Sequence, residues 1–205
     1  MSAALLAVSV LGCSSASVAA ETPGRERTLL LMGLGAGALD LDIPHPERPG
    51  EDFGARFRLR FDLGYELRSW LEIGAELGIA MLGESDSLNA LLRQRGSPGE
   101  ASYTFVDVGV GVRARWLLGT GRWAPFVRGA VGAATLSLSA PDGLGSRQSD
   151  PTWSAGAGLE WTPYTPVVLR FEGRYMGQRS EDATRSHASA ELVVLYALST
   201  SRMDP

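Results

Sequence analysis

The chain has 205 residues, 44% of them hydrophobic and 20% charged, with a formal net charge of −4. That much apolar material excludes a disordered chain, and the acidic balance excludes a strongly basic nucleic-acid partner surface. A single cysteine excludes a disulfide framework, and all 19 basic residues are arginine, so each cation is a planar fork suited to bidentate carboxylate pairing.

Residues 1–20 are apolar and small, contain no acid, and end in Ser17-Val18-Ala19-Ala20. They are expected to be a signal peptide with an Ala-x-Ala-like cleavage site after Ala20, although no Arg or Lys opens the segment. Val10-Leu11-Gly12-Cys13 also resembles the box that precedes a lipidated cysteine. Removal of the segment would leave a chain without thiol chemistry. Nothing after it approaches the ~20 apolar residues of a membrane helix.

From residue 27 the sequence alternates with a period of two, the signature of strands whose side chains point to opposite faces. The first span, 27–38, sets Leu30, Met32, Leu34 and Ala36 against Gly33, Gly35 and Gly37. In the second, 53–66, Ala55, Phe57, Leu59, Phe61, Leu63 and Tyr65 oppose Arg56, Arg58, Arg60, Asp62, Gly64 and Glu66. The third, 71–82, places Leu71, Ile73, Ala75, Leu77 and Ile79 opposite Glu72, Gly74, Glu76 and Gly78. In the fourth, 102–116, Val106, Val108, Val110, Val112 and Trp116 oppose Asp107, Gly109, Gly111, Arg113 and Arg115. The fifth, 123–136, sets Val127, Val131 and Ala133 against Phe126, Arg128 and Gly132; the sixth, 152–161, runs from Trp153 to Trp161 with Ser154, Gly156, Gly158 and Glu160 opposed. In the seventh, 167–176, Leu169, Phe171 and Tyr175 face away from Arg170, Glu172 and Arg174; the eighth, 187–198, groups Ala190, Leu192, Val194, Tyr196 and Leu198.

Short joins (67–70, 117–122, 162–166) alternate with long polar ones (39–52, 83–101, 137–151, 177–186). Amphipathic strands joined this way describe an all-β, eight-stranded antiparallel up-and-down transmembrane β-barrel over 21–205, with short periplasmic turns and long outer loops. Such a barrel pairs every backbone amide and leaves no edge in lipid. Tyr65, Trp70, Trp116, Trp123, Trp161 and Tyr196 fall beside the short turns, with Tyr164; Trp153 and Tyr175 fall at the other strand ends, with Phe53 and Tyr103. These are expected to form two aromatic belts at the bilayer interfaces.

The inner face is expected to hold a network of Arg56, Arg58, Arg60, Arg113, Arg115, Arg128, Arg170 and Arg174 against Asp62, Glu66, Glu72, Glu76, Asp107, Glu160, Glu172 and Glu191. Charges that cancel this way are expected to pair and fill an eight-stranded lumen, which is only just wide enough for its side chains.

Trp123-Ala124-Pro125-Phe126-Val127, Ala155-Gly156-Ala157-Gly158-Leu159-Glu160-Trp161 and Leu169-Arg170-Phe171-Glu172-Gly173-Arg174-Tyr175 resemble the small outer-membrane β-barrels of the OmpA-type, OmpX-like and opacity-protein group. The resemblance covers the barrel only, without the periplasmic domain of full OmpA-type proteins. It implies an integral protein of the outer membrane of a diderm bacterium, contacting outer-membrane lipid and lipopolysaccharide and inserted by the barrel-assembly machinery. Those families usually end in an aromatic recognition residue. Glu191, Tyr196 and Leu198 fit that pattern, whereas Val193 replaces its usual glycine and residues 199–205 follow.

His187-Ala188-Ser189 superficially matches the His-x-Ser of outer-membrane lipid A deacylases, but Ala190 stands where they have Asn. Residues two apart on a strand are ~6.6 Å apart, beyond a Ser–His hydrogen bond. His45 lies in a proline-rich loop, and no metal-ligand spacing or phosphate loop occurs. The expectation is therefore a non-enzymatic barrel without metal or cofactor and with no nucleic acid partner. It would be a monomer, structural or surface-binding through its outer loops. The alternatives are a lipid-modifying enzyme, a narrow pore, or a soluble lipocalin-like carrier. In the second outer loop, 87–93 is expected to make a helical turn or two that caps the mouth. Deletion of 40–51 is expected to leave assembly intact.

Overall fold

The computed structural model describes residues 28–44, 46–47, 52–96, 100–118, 122–140, 145–164, 166–180 and 184–200. The expected signal peptide with Cys13, and His45, lie outside these. Eight strands, β1 (Thr28–Pro44), β2 (Asp52–Arg68), β3 (Leu71–Glu84), β4 (Ser102–Arg115), β5 (Trp123–Ser139), β6 (Ser146–Tyr164), β7 (Val167–Arg179) and β8 (Thr184–Thr200), close into a barrel in sequence order. Every neighbouring pair is antiparallel, and β1 closes on β8 through registers such as Gly35↔Val193 and Gly37↔Glu191. The fold class is the one expected from the alternation.

The side-chain period places the apolar rows outside. Phe57 (65% exposed), Val110, Val112, Val131 and Leu34 all face outward. A shell this apolar is stable only against lipid, because water would have to cover it at a cost of about 25 cal/mol per Å². Arginine in place of Val108, which is 49% exposed, should therefore cost about 2–4 kcal/mol in a lipid-vesicle unfolding titration. A negligible cost there and at Leu159 would overturn the assignment of faces.

The strands outrun the bilayer. A 17-residue strand such as β1 rises about 56 Å along its length and about 43 Å at a tilt near 40°, whereas the apolar band of such barrels is about 25 Å tall. The surplus lies at the outer end. β1 continues to Pro44 where a stop at 38 is expected, and β6 starts at Ser146 rather than 152. Parts of the expected long polar loops are thus strand, above all in β1 and β6, and in β1 the polarity of the faces reverses there. Asp40, Asp42, Arg147 and Ser149 point outward and are exposed, while Leu39, Leu41 and Ile43 point inward and are buried. With water outside, apolar side chains gain by turning in, the opposite of the rule that holds inside the bilayer.

The outer end also opens into two sheets. β2–β3 pairing stops at Arg58↔Ala80 and β6–β7 pairing at Thr152↔Gln178. β1–β2, β3–β4 and β5–β6 continue to Pro44↔Asp52, Glu84↔Ser102 and Leu138↔Ser146. The strands β7-β8-β1-β2 therefore face β3-β4-β5-β6 across a shared apolar core. That core contains Leu39, Leu41, Ile43, Phe53, Leu82, Tyr103, Phe105 and Met176, with Leu136 and Leu138 packed against it.

One helix, α1 (Asp86–Gln94), follows β3. Ser85 caps it by accepting from Leu88 N, and Glu47 from the β1–β2 connection accepts from Ser87 N and Ser87 Oγ (2.6 Å) at the same helix end. A carboxylate there suits the positive end of the helix dipole. Asn89 Oδ1 accepts from Ala101 N at 2.6 Å, and Leu92 is fully buried. The segment expected to form a turn or two is a nine-residue helix, anchored at the outer end of the barrel.

Candidate functional site

The lumen is the only place where the chain concentrates buried chemistry among the described residues, and it is built in three layers. At the turn end Leu31, Val168, Val193 and Leu195 pack together. Beside them a cavity of about 230 Å³ opens, lined in part by Glu66, Ser69, Arg115, Glu160 and Ala197. The middle layer carries the ion pairs, and the outer layer is the apolar core.

In the middle layer Arg58 engages Asp107 as a fork, Nε to Oδ1 at 3.0 Å and Nη2 to Oδ2 at 2.5 Å, while its Nη1 donates to Glu191. Arg60 donates from Nε and Nη2 to Asp62 Oδ1, and reaches Glu191 at 2.8 Å and Glu76 and Glu172 at 3.1 Å. Arg174 joins Glu76 (2.5 Å) to Asp107 (3.4 Å), and Arg128 joins Glu76 (2.7 Å) to Glu172 (3.0 Å). Through Glu172 the network continues to Arg113, which pairs with Glu72. Arg170 then bridges Glu72 and Glu160, and Arg115 links Glu160 to Glu66. Among the expected members of the network, all but Arg56 enter it. Arg56 is half-buried, and its Nε has no hydrogen-bond partner.

Glycine makes this density possible. A Cβ on Gly78 would fall 2.1 Å from Arg58 Nη2, so the guanidinium occupies the volume that any side chain there would need. Arg58, Arg60 and Arg170 are fully buried. Ions so far from water are tolerated only when paired, and the forked guanidinium lets each of the three meet at least two carboxylates, which suits arginine better than a lysine point charge.

The structure corrects two expectations. Phe53 and Tyr103, expected in the outer aromatic belt, are 2% and 5% exposed inside the outer core, in edge-on contact at 5.4 Å between ring centroids. The expected charge network does not fill the lumen to its outer end, since the extension of β1 above it stands in water and turns its apolar face inward. Leu41 and Ile43 belong to that core, so removal of 40–51 would take out part of β1 rather than a loop.

The eight expected belt residues all lie on the outward face. Trp123 and Trp161 stack at 5.5 Å with an interplanar angle of 13°, and Trp153 lies 5.6 Å from Tyr175. Trp153 also covers Gly177, whose missing side chain leaves the ring its seat. Phe126 was not expected to matter, yet the guanidiniums of Arg113 and Arg170 stand 5.1 Å and 5.6 Å from its ring centroid. The available signal was an aromatic residue on an otherwise polar face of its strand.

His187 and Ser189 face the lumen and are buried. His187 Nε2 lies 2.9 Å from Gln178 Oε1, and Gln178 Nε2 donates to Asp150 at 2.7 Å. Ser189 Oγ has no hydrogen-bond partner. The pair is thus not arranged as nucleophile and base.

Residues 3–192 match the family model described as outer membrane protein beta-barrel domain. Among solved structures, Neisserial surface protein A is similar with a TM-score of 0.57 at 10% identity, over 82% of this chain and 96% of that one. Ail, the attachment invasion locus protein of Yersinia pestis, solved with the heparin analogue sucrose octasulfate, is similar with a TM-score of 0.51 at 13% identity, over 84% of this chain and 98% of that one. At these identities the likeness shows the fold. No curated protein matches the sequence.

Proposed function

The chain belongs to the outer membrane protein β-barrel family and is an integral outer-membrane protein, and from that premise we propose that it is a closed, non-enzymatic barrel with a structural or surface-binding role. The observation that carries this reading is the lumen. A continuous ion-pair network crosses its middle, and an apolar core fills its outer end. An ion entering from outside would have to part packed leucine and phenylalanine side chains and then displace arginines already held by two or more carboxylates.

The chemistry available to partners then lies at the outer end. The exposed collar carries Asp40, Asp42, Asp52 and Glu84 on the β1–β3 side, and Arg147 and Arg179 on β6 and β7. A collar of both signs, just above the aromatic pair Trp153 and Tyr175, suits contact with the headgroups of lipopolysaccharide and with a surface partner. Assembly by the barrel-insertion machinery and a monomeric state belong to the same reading.

Reconstituted in planar bilayers, the protein should show no stable open state, and Ser189→Ala should leave lipid A acylation unchanged. Replacement of residues 45–51 by a Gly/Ser linker should preserve folding and alter adhesion or partner capture. A steady single-channel conductance would replace this reading with a pore. Loss of a lipid-modifying activity in the serine variant would replace it with an enzyme.

A further inference from the structure

Between β6 and β7 the backbone ladder ends at Thr152↔Gln178, yet β6 reaches out to Ser146. Side chains take over from there. Gln178 Nε2 donates to Asp150 Oδ2 at 2.7 Å, and Gln148 Nε2 reaches Ser180 Oγ at 3.2 Å and Asp150 Oδ2 at 3.3 Å. From β8, His187 Nε2 meets Gln178 Oε1 at 2.9 Å. His187, Gln178 and Asp150 are all buried. A polar seam contributed by three strands thus joins the two outer sheets where the backbone no longer does.

The chemistry of the seam fixes its protons. An ionised carboxylate only accepts, so Gln178 turns its NH2 to Asp150 and its carbonyl to His187. His187 Nε2 therefore carries the ring hydrogen, and Nδ1 is a bare lone pair, buried and without a hydrogen-bond partner. A second proton would have to go to Nδ1, where no acceptor meets it and the Phe105 ring stands 5.8 Å away. The charged groups around the imidazole are Asp40 and Asp42 on β1, Asp107 on β4, Asp150 on β6 and Arg185 on β8 itself. On β7, Arg174 lies one inward position below Met176 and is held by Glu76 and Asp107. Burial, helped by Arg185, outweighs Asp42, Asp107 and Asp40 and pushes His187 from its ordinary 6.5 down to about 4.

We propose that His187 is an acid-sensitive latch on this seam. Neutral, it ties β8 through Gln178 to Asp150 of β6; protonated, it lets the two outer sheets part there so that Nδ1–H reaches water. The closed form takes up the proton less readily than the open one. The latch is therefore fully set above pH 6.5 and weakens as the pH falls towards 4. It sits on the water-side extension of the barrel, where the pH outside the membrane acts directly.

The test uses the full barrel in nanodiscs. At neutral pH the ring 15N shifts of His187 should place its hydrogen on Nε2. From pH 7.5 to pH 5, amide hydrogen exchange at the last β6–β7 rungs, around Thr152 and Gln178, should rise about 30-fold after correction for intrinsic rates. Exchange around Leu136 on the β5–β6 side should hold steady. His187→Gln, which takes up no proton, should flatten the profile. A rise kept in that variant would belong to Asp150 or the other acids and would overturn the proposal. So would a flat profile in the unaltered chain, or a hydrogen on Nδ1. Should the glutamine variant fail to fold, the unaltered chain still decides, because the rise in exchange must track protonation of the His187 ring in the same 15N spectra.

Discussion

Arg60→Met should destabilise the barrel by about 3–5 kcal/mol in a urea-unfolding titration in lipid vesicles. Arg60 is fully buried and serves Asp62, Glu76, Glu172 and Glu191 together. Methionine fills much of the volume but removes the only charge that the four carboxylates share. Asp62 loses both of its hydrogen bonds, and Glu191 is left to Arg58 alone among the arginines. The cost comes from uncompensated buried charge rather than from the net worth of an ion pair, which is small once desolvation is counted. The same substitution at Arg147, exposed on the outer end of β6, should change stability by well under 1 kcal/mol. Equal effects at the two positions would mean that water reaches the network and screens it.

Phe105→Ala should cost about 3–5 kcal/mol, the usual range for emptying a close-packed site. Phe105 is fully buried in the outer core, with its ring centroid 5.8 Å from that of His187. The lipid-facing Phe57→Ala should cost far less, because acyl chains can follow the surface inward and no cavity forms. A small effect at Phe105 in the same titration would show that the outer third of the lumen is loosely packed or wet. The reading of a closed barrel would then lose one of its two barriers. The two substitutions test the barriers separately, since Arg60 and Phe105 belong to different layers.

Much of this molecule is legible as pattern. Arg56-Phe57-Arg58-Leu59-Arg60-Phe61 states a strand with one charged and one apolar face, and the same period from Leu71 to Ile79 states its neighbour. A period of two survives any tertiary context, because it follows from the pleat itself. The inner charges were equally readable, since ions placed on the polar faces of lipid-clad strands have nowhere to go but the lumen. The family match and the closed barrel agree with that reading.

The outer end was harder. Leu39, Leu41 and Ile43 continue the inward parity of Gly33, Gly35 and Gly37, while Asp40 and Asp42 occupy the outward one, so β1 does not end at Ala38; its polarity inverts. Alternation alone cannot say which face is inside. That depends on whether lipid or water lies outside, and so on how far the strand projects. Phe53 and Tyr103 looked like interface aromatics for the same reason, because position near a strand end does not reveal a facing direction.

The amino-acid sequence by itself determined the number of strands and their facing within the bilayer, since each of these depends on local period and on the cost of placing ions in lipid. The tertiary structure alone decided which arginine meets which carboxylate, that Arg56 stays out, and that the outer third is an apolar core between two sheets. Those features depend on barrel closure and register, which bring residues such as Arg58 and Glu191, or Leu41 and Phe105, to one level from opposite ends of the chain or from opposite sheets. No local pattern encodes that meeting, because it is set only when β1 pairs with β8.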